Sequence, residues 1–127
     1  MTALHPYQYV VLRCVPRPER EEFVNVGVVV YSEACGFLGS AWAVDEARLC
    51  ALAPEVNVAS VAAALGFVQA VCEGVQRGGS ASLQPLGQRF GFLKAPRSTV
   101  IQPGPVHGGL TSDPALVLDH LLLTLVN

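Results

Sequence analysis

The chain has 127 residues and a mass of 13.4 kDa, which is one domain (residues 1–127) with a single core; it is 51% hydrophobic, 14% charged and carries a formal net charge of −2. A pI near 5.8 excludes a general electrostatic footprint for nucleic acid, so double-stranded DNA is disfavoured as a partner. An average soluble domain carries roughly a quarter of its residues as charges, so this surface is short of charge and is expected to be covered in a homodimer or by another protein.

Seven of the eight basic residues are arginine, a side chain whose planar fork suits bidentate anion contacts. The four cysteines, Cys14, Cys35, Cys50 and Cys72, lie at wide, irregular gaps with no CxxC pair, and no two histidines share helical ligand spacing. Neither a metal site nor a cofactor signature is read from them. The first ten residues, MTALHPYQYV, lack a basic segment followed by an apolar run, and no apolar run approaches the ~20 residues of a membrane span. A cytoplasmic protein with reduced thiols is the expectation.

In chain order, residues 7–15 are apolar on both faces and predict an interior strand. PRPERE is a proline-punctuated turn, and residues 23–31 form a second strand, antiparallel to the first if the hairpin closes about residues 18–20. After SEACG, residues 37–44 complete a three-stranded meander. Asp45 caps a short helix with Leu49 and Leu52 on one side, ended by Pro54. Residues 56–75, capped by Asn57, carry Val58, Val61, Leu65, Val68, Cys72 and Val75 at alternating spacings of three and four, and predict a helix that ends in a flexible loop, QRGGSAS. Residues 83–95 suggest a turn of helix or an aromatic plug. Residues 98–102 read as a returning strand, with Pro103 and Pro105 confining its end to a sheet edge. QPGPVHGGLTS reads as a loop leading to Asp113-Pro114, a helix start. The helix over 115–126 is apolar nearly all round, with a polar stripe through His120, Thr124 and Asn127, so it is buried or forms an interface. The fold class expected is α+β: an antiparallel sheet of three to four strands, a β-meander first and one returning strand, with two main helices packed on it.

The blocks YQYVVLRCVPRPEREEFVNVGVVVY, GFLGSAW and APRSTVIQPGPVH, with a closing helix that begins DP, resemble a bacterial family of uncharacterised proteins, domain of unknown function 3037. The likeness runs over essentially the whole chain. It implies no activity; it implies that members are often encoded beside a kinase-like protein of the HipA type, which is thereby a candidate partner.

The second strand raises a question of its own. Period two puts Phe23, Asn25, Gly27, Val29 and Tyr31 on one face and Val24, Val26, Val28 and Val30 on the other, an all-valine face expected to be core. The hairpin register places Arg13 opposite Asn25 and Val11 opposite Gly27. One reading is a polar pocket of Arg13, Asn25 and the gap at Gly27, with Arg17 and Arg20 at its rim and Arg97 and Ser98 arriving from the returning strand, able to hold a phosphate or carboxylate of a small anionic ligand. The other is structural: Asn25 fixes a backbone loop, Gly27 admits Tyr9 or Trp42, and Arg13 pairs with Glu21 or Glu22. PGPVHGGL is similar to the His-Gly-Gly loop of some esterases, but no GxSxG elbow accompanies it, which leaves His107 a loop or interface residue. No catalytic pair stands at recognisable spacing. The expected function is a non-catalytic interaction or regulatory module. The alternative is a ligand-binding domain or enzyme acting on a phosphorylated or nucleic-acid substrate through the arginines and Asn25.

Overall fold

A computed structural model describes residues 3–96 and 99–127. Among the described residues, five antiparallel strands form one sheet: β1 (His5–Cys14), β2 (Val24–Ser32), β3 (Phe37–Trp42), β4 (Ile101–Pro103) and β5 (His107–Thr111). The order is β3-β2-β1-β4, and β5 pairs with β1 as well, so one edge of β1 is shared between two short strands. β4 takes Leu12 to Cys14 and β5 takes His5 to Tyr9, with the PGP segment between them. The architecture is α+β.

The strand missed from sequence is β5. Two glycines hide it, and each has a packing reason. Gly109 lies under the Tyr7 ring, where a Cβ would stand 2.7–2.9 Å from that side chain, and Gly108 stands 3.2 Å in the same sense from the Tyr7 carbonyl oxygen. His107 is therefore a strand residue rather than a loop residue, paired with Tyr9 and with its ring 5.2 Å from the Tyr9 ring.

Helices cover both faces. On one side lie α1 (Glu46–Leu52), α2 (Val58–Glu73) and α3 (Leu86–Lys94), whose Leu49, Val61, Leu65, Val68, Val71, Cys72, Phe90 and Leu93 meet Val10, Leu12, Cys14, Val24, Val26 and Val29 of the sheet. On the other lies α4 (Pro114–Leu121), continued by a π-helical turn (Leu122–Val126), whose inward residues meet Val28, Val30, Tyr7, Tyr9 and Phe37. The three side-chain caps read from sequence are in place: Asp45 accepts from the Arg48 amide at 3.0 Å, Asn57 from the Ser60 amide at 3.1 Å, and Asp113 from the Ala115 amide at 3.1 Å.

α2 ends in a Schellman motif, with Gly74 at φ 72°, the Gly74 amide donating to the Val71 carbonyl and the Val75 amide to that of Ala70. Arg89 of α3 donates to the Val71 and Cys72 carbonyls at 3.1 and 3.0 Å, so the end of α2 is capped from a second helix. QRGGSAS, expected to be a flexible loop, lies within the 3₁₀ segment Gln76–Leu83, with Gly78 and Ser82 buried. Residues 86–94 are a full helix rather than a single turn, and its Phe90 ring stacks 5.1 Å from Tyr31.

The all-valine face does not exist. β2 carries a bulge: Leu12 pairs with Gly27 and Arg13 with Asn25, leaving Val26 unmatched. An extra residue shifts the period-two phase of everything beyond it. Val24, Val26 and Val29 therefore face the α2 side, while Val28 and Val30 face α4. Val11 pairs with Val28 rather than Gly27.

Candidate functional site

The bulge also parts Asn25 from Gly27. Gly27 looks toward the α2 side, where a Cβ would meet the Ala41 carbonyl oxygen at 3.0 Å, Trp42 Cβ at 3.1 Å and Leu12 Cδ1 at 3.3 Å. It is there to let β3 and Trp42 approach. Asn25 looks toward the opposite side, where its Nδ2 donates to the Leu125 carbonyl at 3.2 Å. The gap and the amide are not parts of one pocket.

Arg13 is opposite Asn25, as the hairpin register predicted, and opposite Gln102 on its other side. Its guanidinium carbon lies 4.2 Å from the centroid of the Phe23 ring, a cation–π contact, and its edge packs along Gly104, where a Cβ would stand 3.1–3.2 Å away. It pairs with neither Glu21 nor Glu22. The other arginines of the expected rim are engaged elsewhere. Arg17 donates to Glu55 from Nε at 2.9 Å, and Arg20 is paired with Glu22. Hydrogen bonds from Arg17 and Arg20 hold Glu55 and Glu22, respectively, below the usual carboxylate range. Arg97 and Ser98 lie outside the described residues.

Beside Arg13 opens a cleft of about 430 Å³ lined by Arg13, Val15, Pro18, Glu21, Phe23, Gln102 and Pro103. Glu21, Phe23 and Gln102 were not singled out from sequence as site residues. Gln102 becomes visible only through the β1–β4 register, which brings together residues 89 positions apart. A second cleft, about 480 Å³ between Pro6, Tyr7, Gln8, Tyr31, Glu33 and Ala34, has no basic residue in its lining.

Cys14 and Cys72 do not suit nucleophilic chemistry. Burial pushes Cys14 up and pushes Cys72 up to about 11, with the Ser40 hydroxyl partly opposing, so both stay protonated at neutral pH. Among the described residues, no three of His, Cys, Asp and Glu gather to hold a metal, and no single helix is long and apolar enough to cross a membrane.

The outer side of α4 exposes large apolar side chains. Val117, Leu118, Leu121, Leu122 and Val126 pack inward, whereas Leu116 and Leu123 are 65% and 66% exposed. Of the sequence reading of this helix as buried or as an interface, the structure bears out burial on the inward side; the outward side is exposed. No curated protein and no solved structure matches the chain. Residues 9–126 match the family described as protein of unknown function, DUF3037, and the chain belongs to that family.

Proposed function

We propose that this domain is a non-catalytic interaction module that pairs with a second copy of itself through the outer side of α4. The observation that carries the reading is the exposure of Leu116 and Leu123, seven residues apart on a helix whose other side is already docked. Seven residues are close to two helical turns, so the two leucines form one ridge pointing away from the sheet. The low overall charge and the engagement of Arg17, Arg20 and Arg89 by groups of the fold itself support it further.

The polar side chains beside the ridge, Asp119 and His120, favour self-association in one orientation. At about 100° per residue, Asp119 and His120 stand on opposite flanks of the line from Leu116 to Leu123. Two copies with parallel α4 helices, related by a two-fold axis along them, put Asp119 of each beside His120 of the other. An antiparallel pair puts like beside like. A ridge of two leucines is smaller than a standard interface, so the parallel dimer is weak and concentration-dependent.

Sedimentation equilibrium tests this. The wild type is expected to dimerise with rising concentration, and the exposed double change Leu116→Glu/Leu123→Glu to hold it monomeric with an unchanged circular dichroism spectrum. Asp119→Lys weakens the dimer, and adding His120→Glu restores it. A wild type that stays monomeric at every concentration overturns self-pairing. Capture of a HipA-type kinase by the wild type, lost in the leucine variant, would keep the interaction module and change its partner.

A further inference from the structure

The corner where β1, β2 and β4 meet holds charges that pair with each other and charges that do not. Arg17 is joined to Glu55 and Arg20 to Glu22, and both pairs stand outside the cleft. The two charged residues that line the cleft are Arg13 and Glu21. Among the described residues neither is in an ion pair, with the other or with anything else. Arg13 Nε is buried and has no hydrogen-bond partner, a condition that proteins seldom leave unanswered. Its contacts with Phe23 and Gly104 hold the guanidinium in place without satisfying one N–H.

Glu21 has an unusual backbone. It caps the 3₁₀ turn Pro18–Arg20 at φ 56°, ψ 21°, and among the described residues it is alone in being a non-glycine residue with positive φ. Such a conformation is strained for an ordinary side chain, and observed strain of this kind is concentrated at ligand sites. The remainder of the lining is apolar or neutral: Val15, Pro18, Phe23 and Pro103, with the amide of Gln102.

We propose that this cleft binds a free α-amino acid, with its carboxylate on Arg13, its ammonium on Glu21 and its side chain against Phe23 and Pro103. One cation and one anion, both unpaired, in a lining that is otherwise uncharged, are complementary to a zwitterion. A phosphate or a nucleic-acid backbone would meet the Glu21 carboxylate as a like charge, which sets this ligand class apart from a simple anion. Guanidinium and carboxylate form a planar, charge-assisted pair that gives orientation as well as affinity. The inference is independent of the α4 interface and stands or falls without it.

Isothermal titration of the full chain with the free L-amino acids tests it, using L-leucine amide and N-acetyl-L-leucine as partners that each lack one charge. Saturable binding of at least one free amino acid is expected, with both half-charged analogues weaker by about tenfold or more. Glu21→Gln, at an exposed residue, is expected to cost a similar factor while leaving the melting temperature of the unliganded protein unchanged. Arg13→Met is expected to abolish binding; because Arg13 is packed, Glu21→Gln alone decides the matter if the arginine variant does not fold. Absence of binding by every free amino acid overturns the proposal. So does N-acetyl-L-leucine binding as well as L-leucine, or binding that Glu21→Gln leaves intact.

Discussion

Asn25 Nδ2 donates to the Leu125 carbonyl across 3.2 Å and 100 residues of sequence. Arg48 Nη1 donates to the next carbonyl, Val126, at 3.1 Å. The last carbonyls of a helix have no partner within it, and here two side chains from distant elements supply them. The bulge at Val26 is what turns Asn25 toward this face, so an irregularity in β2 decides where the C-terminal turn is held.

Replacing Asn25 with alanine removes one of these two bonds and also one buried oxygen, Oδ1, that has no partner of its own. The two effects oppose, so the expected loss is about 1 kcal/mol in urea unfolding. Hydrogen exchange locates the loss: the amide of Asn127, which donates to Leu122, should exchange faster in the variant, with the β1–β2 amides unchanged. Uniform acceleration across the sheet would show that Asn25 serves the hairpin instead.

Glycines 27 and 66 should respond in opposite directions to the same change. At Gly27 an added methyl meets a backbone oxygen and a Cβ at 3.0 and 3.1 Å, neither of which can swing aside, so Gly27→Ala is expected to destabilise by about 1–3 kcal/mol. Gly66 lies in the interior of α2 with nothing within 4 Å of the new atom. Gly66→Ala is expected to stabilise by about 0.5–1 kcal/mol. Thermal melts of the two variants decide it, and a neutral Gly27→Ala would mean that β3 is free to move.

Alkaline pH should weaken the fold through Cys72. Its thiol is held from a usual 9.0 up to about 11 in the folded state, so between those values the unfolded chain has released a proton that the folded chain keeps. Stability therefore falls as pH rises from 9.0 and levels off above about 11, by about 2–3 kcal/mol in all. Cys72→Ala should flatten this limb relative to the wild type, with Cys14 leaving a smaller slope of the same sign. Parallel curves for the two proteins would show that the thiol is solvated.

Local signals in the sequence were sufficient wherever the physics is local. Asp45, Asn57 and Asp113 mark three helix starts because a cap is a hydrogen bond within a few residues of itself. The hairpin pairing of Arg13 with Asn25 followed from the position of PRPERE. Glycine-rich strand β5 was invisible because the Tyr7 ring packs over its glycines from across the ladder, and two adjacent glycines in a five-residue strand leave no alternation to read.

The candidate site shows the same division. Arg13 was legible as an arginine within a strand, where a charge needs a reason to be. Glu21 and Gln102 were not, since one is set by the φ of a turn and the other by pairing with a strand far along the chain. By itself, the sequence determined an antiparallel α+β domain, three capped helices, an apolar last helix and a surface poor in charge, all consequences of composition, periodicity and short-range bonds. Only the tertiary structure decided that Asn25 and Gly27 face opposite ways, that Arg17 and Arg20 are engaged while Arg13 and Glu21 are not, and which side of α4 is bare. One unmatched residue in a ladder reverses every face beyond it, and period two in a sequence cannot record where that residue falls.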